Sequence, residues 1–216
     1  MGVKERRDRE RLGMRRSILD AAREIAAHEG WHAVTIRRIA EVIEYSPPTI
    51  YEYFPSKEAL LVEVSHEAFG LLLADLRAAR DATPDPRERL RSMVAAYWAF
   101  VWKHPELYQV ISGLGGVNVC EPGDECLHTE GTQVAELFRE VLQTILPPAN
   151  RTAEDLESKV IVIWSLFHGF TALLMAGRIP MEARDRALEL GQQALGDLVS
   201  AWQAERPAQH EISADS

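Results

Sequence analysis

The sequence contains little cysteine and lacks an apolar leader segment. Only two of its 216 residues are cysteine, Cys120 and Cys126. The first 12 residues are polar and highly charged, and they do not form the apolar segment of a secretory signal. Because structural disulfides belong to oxidising compartments, these two absences together predict a protein of the reducing cytoplasm.

Motifs that carry catalysis are also missing. The chain contains no nucleophile elbow, phosphate-binding loop, metalloprotease motif or dinucleotide fingerprint. His168 lies in an apolar stretch without an evident partner carboxylate, so we interpret it as a core or pocket residue. We therefore predict a protein that is not an enzyme and needs no cofactor.

One uncharged run, residues 160–177, is about as long as a membrane span. Ser165, His168, Gly169 and Thr171 interrupt it, and its flanks lack the basic clusters that mark a membrane interface. Its remaining residues leave almost no polar face on a helix. We therefore predict a helix that is buried on several sides in a dimeric bundle, without membrane contact.

Positive charge is scarce overall and concentrated near the N-terminus. The chain has a net charge of −9, with 24 basic against 33 acidic residues. Residues 1–60 contain 11 Lys and Arg against 10 Asp and Glu, whereas the remainder contains 13 against 23. This asymmetry suggests an anion-binding head on an acidic body. The basic first 12 residues predict either a frayed helix end or an arm that contacts nucleic-acid phosphates or the minor groove.

Helical periodicity accounts for most of the chain, and no stretch has the pattern of a strand. Apolar residues recur at spacings of three and four, between breakers rich in proline and glycine. Gly30 is expected to end the first helix in a left-handed cap. We predict an all-α protein of about nine helices. Outside the segment described next, the predicted helices cover about residues 15–29, 56–80, 87–103, 107–111, 132–146, 153–177 and 181–205.

The segment from Thr35 to Lys57 contains two short helical patterns separated by a tight turn. Thr35 is suited to cap the first helix, because its hydroxyl can accept a hydrogen bond from a first-turn amide. Ser46 is suited to cap the second, which opens with Pro47 and Pro48 where proline is tolerated. Two helices joined so closely, the second short and rich in polar and aromatic side chains, are typical of a DNA-binding helix-turn-helix.

This part of the sequence resembles the tetracycline-repressor (TetR) family of bacterial transcription regulators. The resemblance rests on SILDAAREIAAHEGWHAVTIRRIA, which begins at Ser17, and on SPPTIYEYFPSKEAL, which begins at Ser46. It covers about residues 12–65. The family usually has a small residue and a glycine in the turn, where this chain has Ile43, Glu44 and Tyr45. A non-glycine residue at positive φ costs energy, so we expect a reshaped turn or a strained Glu44.

The resemblance implies that a homodimer binds a palindromic operator in double-stranded DNA through these helices. Arg37 is the best candidate for a bidentate guanine contact. Pro47 and Pro48 are expected to contact a thymine methyl group or a sugar. For Tyr51 the alternative is a ring packed within the head. The predicted DNA-binding residues are Thr35, Arg37, Arg38, Ser46, Pro47, Pro48, Thr49, Tyr51, and the phosphate-contacting Tyr53 and Lys57.

The body is predicted to bind a ligand and to dimerise. Small residues such as Gly191 and Ala194 let helices approach closely, which favours a four-helix bundle made by the last two long helices of each subunit. The stretches HPELYQVISG and SLFHGFTALLMAG resemble the WHG type of TetR ligand domain. A pocket for an apolar or aromatic effector is expected between helices, and a plain core is the alternative. The predicted ligand-binding residues are Met93, Tyr97, Trp98, Trp102, Tyr108, Phe138, Trp164, Phe167, His168 and Met175.

We therefore predict a DNA-binding domain at residues 1–54, a ligand-binding and dimerisation domain at 55–206 and a disordered tail at 207–216. The function predicted from these domains is ligand-responsive repression, with the helix after residue 56 as the lever between the two regions. The alternatives are an activator, a metal sensor through Cys120, Cys126 and His128, or a helical small-molecule-binding protein that binds no operator. The C-x5-C-x-H spacing does not match common zinc patterns and favours a loop with free thiols.

Overall fold

The computed structural model describes residues 2–114 and 128–205. Within these ranges the chain forms α-helices with short connections and contains no strand, which confirms the all-α prediction. Three single 3-10 turns lie at Trp31–Ala33, Pro148–Asn150 and Met181–Ala183. The nine helices of the described residues are α1 (Val3–Glu29), α2 (Ile36–Val42), α3 (Pro47–Tyr51), α4 (Lys57–Asp81), α5 (Pro86–Lys103), α6 (Pro105–Ser112), α7 (His128–Ile145), α8 (Ala153–Met175) and α9 (Arg184–Ala204).

Helix α1 is longer than its apolar stripe indicates. It begins at Val3 and not near Arg15, and residues 4–13 are all exposed, so this basic stretch gave no amphipathic signal. The helix ends at Gly30, whose amide donates to the carbonyl of Ala26 over 3.0 Å. Gly30 has φ 84° and ψ 162°, so the predicted left-handed α conformation is wrong in ψ. The chain extends here toward Trp31, with a pair of angles that essentially only glycine adopts.

The described residues form two compact units. Unit 1 contains residues 2–73, 99–114 and 128–131, and unit 2 contains residues 74–98 and 132–205. The unit boundaries fall inside α4, α5 and α7. The functional boundary near residue 54 stays a prediction, and the predicted tail at 207–216 lies outside the described residues.

Unit 1 contains the helix-turn-helix, α2 and α3, packed with α1. The indole of Trp31 donates to the carbonyl of Glu106 in α6 over 2.8 Å. The hydroxyl of Ser56 accepts from the amide of Ala59 over 3.2 Å and thereby caps the start of α4. This core gives α2 and α3 a rigid base. Its completely buried apolar side chains are Ile18, Ala22, Val34, Ile50, Leu60, Val64, Ala68, Val101 and Leu107.

Unit 2 pairs α8 with α9 at close range. A Cβ atom added to Gly191 of α9 would lie 2.7 Å from Cε1 of Phe167 in α8, so this position requires glycine. The predicted close approach of helices at Gly191 is therefore present within one subunit. The C-terminal end of α9 is held by Asn150, whose side-chain amide donates to the carbonyls of Trp202 and Glu205 over 2.7 and 3.1 Å.

Helix α8 has two apolar faces, of which only one is buried in the subunit. Ile163 and Phe167 lie in the core, whereas other large apolar side chains of this helix are half exposed. Within one subunit α9 covers only part of α8, so the predicted burial of α8 on several sides, which concerned a dimeric bundle, stays a prediction. By length and by its mean hydropathy of 1.5, α8 is the one helix of the described residues that could cross a membrane. The exposed apolar side chains of α8 are Ile161, Val162, Trp164 and Leu173.

Candidate DNA-binding surface and ligand region

The first helix of the helix-turn-helix is capped as predicted. The Thr35 hydroxyl accepts from the amide of Arg38 over 3.1 Å, which fixes the start of α2. Two residues further on, in the first turn of α2, the guanidinium of Arg37 pairs with Glu41 over 3.2 Å while its side chain stays 86% exposed. An exposed pair of this kind contributes little stability, so Arg37 can exchange Glu41 for a DNA base at small cost.

Arg38 differs from Arg37 in its surroundings. Its guanidinium donates to Glu29 of α1 over 2.8 Å and lies 3.8 Å from Glu41. The hydrogen bond to Glu29, followed by the charge of that carboxylate, raises the pKa of Arg38. These contacts hold Arg38 against α1. To make the predicted DNA contact, Arg38 must either release one of these carboxylates or bind the DNA with its remaining N–H groups.

The turn between α2 and α3 contains the strained residue that the sequence suggested. Glu44 has φ 59° and is the one non-glycine residue with positive φ in the described part of the chain. Its amide donates to the Glu41 carbonyl over 3.4 Å, and the amide of Tyr45 donates to the Ala40 carbonyl over 2.9 Å. This pair of bonds is the Schellman arrangement, which normally places glycine at the position of Glu44.

The recognition helix α3 is short and begins with two prolines. The Ser46 hydroxyl contacts the Thr49 hydroxyl over 2.9 Å and makes no bond to a backbone amide, so the predicted side-chain cap is wrong. The reason is that Pro47 and Pro48 have no N–H groups, and the amide of Thr49 already donates to the Ser46 carbonyl over 3.0 Å. Both prolines are exposed, as a base or sugar contact requires.

Aromatic residues at the C-terminal end of α3 extend the exposed surface of α2 and α3. The Tyr51 ring is 53% exposed, so the alternative in which it packs within the head is wrong. Tyr53 is half buried, and its carbonyl accepts from the Arg15 guanidinium over 3.1 Å. The Lys57 ammonium donates to the carbonyl of Trp31 over 3.1 Å. An ammonium group has three donors, so Lys57 can bind a phosphate while keeping this contact.

Sequence reasoning missed Tyr45 as a candidate. The sequence showed it only as a departure from the family turn, but its side chain is 50% exposed directly before the residues of α3. The signal that could have identified Tyr45 is its position. It is a large aromatic residue in a turn, outside the helical pattern of apolar residues that forms the core.

The predicted ligand-binding residues do not all lie together. Trp102 and Tyr108 belong to unit 1, and the other eight belong to unit 2. Trp164 is 53% exposed, which favours a surface role over a pocket. Trp102, His168 and Met175 are half buried. The fully buried members are Met93, Tyr97, Trp98, Tyr108, Phe138 and Phe167.

A cavity of about 280 Å³ in unit 2 involves none of these residues. It lies between the first turns of α5 and the middle of α9. Two arginines and several apolar side chains surround it, so it differs in chemistry from the predicted aromatic pocket. Its lining consists of Arg87, Glu88, Leu90, Arg91, Gln192, Leu195, Gly196 and Val199.

His168 is the predicted ligand residue whose ionisation the fold alters. Its ring lies 5.3 Å from the ring of Trp164, with 40° between their planes. Burial lowers the pKa of His168, because the apolar surroundings disfavour the charged imidazolium.

Replacing His168 with glutamine should reduce the loss of stability on acidification. The unfolded chain binds the proton more readily than the folded chain, so stability falls as the pH drops below about 6.5, the ordinary pKa of histidine. Between about pH 7 and pH 5, urea unfolding midpoints should therefore fall further for the wild type than for His168→Gln. Equal pH profiles for the wild type and His168→Gln would contradict the expectation.

The metal-sensor alternative cannot be placed in the structure. Cys120 and Cys126 lie outside the described residues, and so does the side chain of His128. The alternative stays a prediction.

Comparison with known proteins divides the chain into two matches. Residues 18–64 match a family model described as bacterial regulatory proteins of the tetR family. Residues 90–198 match a second model, described as a tetracyclin repressor-like C-terminal domain. The first match contains α2, α3 and the start of α4, and the second contains most of unit 2.

Relatives and solved structures agree with these matches. The transcriptional activator FasR of Mycolicibacterium smegmatis is 33% identical over 97 residues, which are 45% of this chain and 44% of that protein. The repressor KstR of the same organism is 35% identical over 98 residues, 45% of this chain and 48% of that protein. The chain thus spans less than half the length of these relatives. The TetR-family regulator PfmR of Thermus thermophilus has the same fold, with a TM-score of 0.62, 22% identity and coverage of 88% of this chain and 99% of that one.

Proposed function

Because the chain belongs to the TetR family of DNA-binding transcription regulators, we propose that it is a ligand-responsive repressor that binds a palindromic operator as a homodimer. The observation that carries this proposal is the exposed surface of α2 and α3. Arg37, Pro47, Pro48 and Tyr51 are exposed on helices whose buried faces are fixed in the core of unit 1. A rigid scaffold with exposed polar and aromatic side chains is what base and phosphate contacts require.

Two subunits are needed because one short helix reads few base pairs. The five residues of α3 can contact only part of one turn of DNA. A symmetric dimer that reads two half-sites multiplies the discrimination. The exposed apolar side chains of α8 supply a surface for such a dimer, which we infer to form with α9 a four-helix bundle between subunits.

We propose repression and not activation because it needs fewer interactions: a bound dimer blocks a promoter without a further contact to the polymerase. FasR is named an activator and KstR a repressor, so the names of relatives do not decide whether this chain activates or represses transcription. A reporter gene behind the operator tests it. Higher expression after deletion of the regulator supports repression, and lower expression supports activation.

The effector is proposed to be an apolar or aromatic small molecule that binds among the buried aromatic side chains of the body. It releases DNA only if it binds the DNA-incompetent arrangement more tightly than the competent one. Helix α4 is the proposed lever, because one continuous helix of 25 residues, about 37 Å long, starts beside the helix-turn-helix. As a regulator of transcription, the protein would act in the cytoplasm.

Fluorescence anisotropy tests the proposal directly. Duplexes from the DNA flanking the gene are titrated against a scrambled duplex at two salt concentrations. Tight, saturable binding with two subunits per site supports the proposal. Equal, weak binding that salt abolishes on both duplexes would instead favour a helical small-molecule-binding protein without an operator.

Substituting Arg37 with alanine should weaken operator binding by about tenfold to a hundredfold and relax the sequence preference at one base pair of each half-site. The reason is the loss of two hydrogen bonds to a guanine. The Arg37→Lys variant keeps the charge and should recover only part of the affinity.

A matched control for this substitution is Arg186→Ala. Arg186 pairs with Glu189 on the surface of α9 over 2.9 Å, as Arg37 pairs with Glu41, and its side chain is 64% exposed. This control should bind the operator like the wild type. If Arg37→Ala and Arg186→Ala bind with the same affinity, Arg37 does not contact the operator.

A further inference from the structure

The middle of the helix-turn-helix has no positive charge. Between Arg38 and Lys57 the sequence contains no lysine or arginine, but it contains Glu41, Glu44 and Glu52. DNA phosphates that meet this stretch must therefore be bound by neutral donors, which are hydroxyl groups and backbone amides.

Two of the hydroxyl groups in this stretch already bond to each other. The Ser46 and Thr49 hydroxyls are 2.9 Å apart. Tyr53 is half buried, whereas Tyr45 and Tyr51 expose 50% and 53% of their side chains. Tyr51 belongs to the face of α3 already assigned to DNA, which leaves Tyr45 as the additional exposed phenol.

The backbone holds Tyr45 in a defined position. Its amide donates to the carbonyl of Ala40 over 2.9 Å, and the left-handed conformation of Glu44, with φ 59°, makes that bond possible. Glycine would adopt this conformation at lower cost, so the chain keeps a strained residue beside its recognition helix. Strain of this kind persists at sites where the resulting geometry is used. Tyr45 is thereby fixed directly before Ser46, the N-cap residue of α3.

We propose that Tyr45 is a further DNA-contacting residue, whose phenol hydroxyl donates a hydrogen bond to an operator phosphate beside the bases read by α3. This inference rests on the proposed function, since it requires operator binding. Through this contact Tyr45 positions the recognition helix on the DNA backbone. Because the contact is neutral, it contributes affinity without releasing a counterion.

Replacing Tyr45 with phenylalanine isolates the hydroxyl. Operator duplexes are first selected from random DNA with the wild-type protein, and anisotropy titrations then compare both proteins at several salt concentrations. Tyr45→Phe should bind the operator about threefold to tenfold more weakly. The slope of log affinity against log salt should stay at its wild-type value, whereas a variant that loses a phosphate-binding cation, Lys57→Gln, should reduce it.

Stability and a second variant complete the test. Tyr45→Phe should keep the urea unfolding midpoint within experimental error, because it removes only the hydroxyl, whereas Tyr45→Ala should lower it modestly, because half of the side chain is buried. Wild-type affinity for Tyr45→Phe would overturn the inference, and if Tyr45→Ala were then weak, the contact would belong to the ring. With Arg37→Ala still impaired, the proposed function would stand. If the wild type selects no operator, the proposed function fails, and this inference fails with it.

Discussion

Replacing Trp164 with glutamate should dissociate the proposed homodimer and lower its affinity for the proposed operator by about a hundredfold or more. Trp164 is 53% exposed on α8, Ile161 one turn before it is 52% exposed, and α8 carries further exposed apolar side chains at Val162 and Leu173. A carboxylate at this position would be buried without a partner in a helix bundle between subunits, at a cost of several kcal/mol. Since each subunit carries one recognition helix, loss of the dimer removes the second half-site from binding.

The measurement is light scattering coupled to size exclusion, followed by anisotropy on the operator. The control is Leu71→Glu, which introduces the same charge at an exposed apolar residue of α4 in unit 1. This control should remain dimeric and bind DNA with little change. Circular dichroism should show the same helix content for both variants, because neither side chain is buried in its own subunit. A dimeric Trp164→Glu protein with normal DNA affinity would exclude the exposed face of α8 from the interface.

Sequence patterns predicted the elements that depend on neighbouring residues. Apolar residues at spacings of three and four predicted a helix with one buried face, and Ile18, Ala22 and Ile25, which follow this spacing in α1, are all buried. The cap at Thr35 also follows from local chemistry. The strain expected at Glu44 was found as well, since a turn this tight leaves its middle residue few conformations. These features are encoded within a few residues of each position.

The features that the sequence did not predict depend on competition or on distant partners. Ser46 fails to cap α3 because the two following prolines remove one of the amides that it could bind. The start of α1 was missed because its exposed first turns have no apolar period. The two faces of α8 look equally apolar in sequence, and only packing against Gly191 decides that Phe167 is covered while Trp164 is exposed. Six of the ten predicted ligand-binding residues are buried, but the periodicity of the chain could not indicate which of the two units contains each one.

Substituting Arg23 with alanine should lower the free energy of unfolding by about 3 kcal/mol. Its guanidinium lies 3.1 Å from a carboxylate oxygen of Glu67 in α4 and 3.6 Å from one of Glu106 in α6. The three side chains are only 19%, 20% and 10% exposed. Removal of the cation leaves two carboxylates in a poorly hydrated site, where Glu106 loses its ion pair with Arg23, Glu67 keeps only the more exposed Arg16, and the two carboxylates repel each other.

The control is Arg16→Ala. Arg16 also lies 3.1 Å from Glu67, but its side chain is 59% exposed. An exposed pair contributes less than about 1 kcal/mol, so this variant should lose little stability although it contacts the same carboxylate. Guanidinium unfolding of both proteins gives the comparison, and similar losses for both would show that burial does not set the strength of the Arg23 contacts.

The Arg23→Ala substitution should also lower the affinity of the DNA-binding surface for the operator. Arg23 lies on α1, which supplies the core against which the helix-turn-helix packs, and the indole of Trp31 donates to the backbone of Glu106 from the residues that follow α1. The buried ion pairs therefore attach α4 and α6 to α1, which in turn supports the recognition helix. A triple variant with Arg23→Met, Glu67→Leu and Glu106→Gln, which removes the charge of the cation and of both carboxylates, should recover much of the stability. If it recovers stability without operator affinity, the ion pairs themselves position α3, whereas recovery of both would mean that rigid packing of α1 on α4 is sufficient.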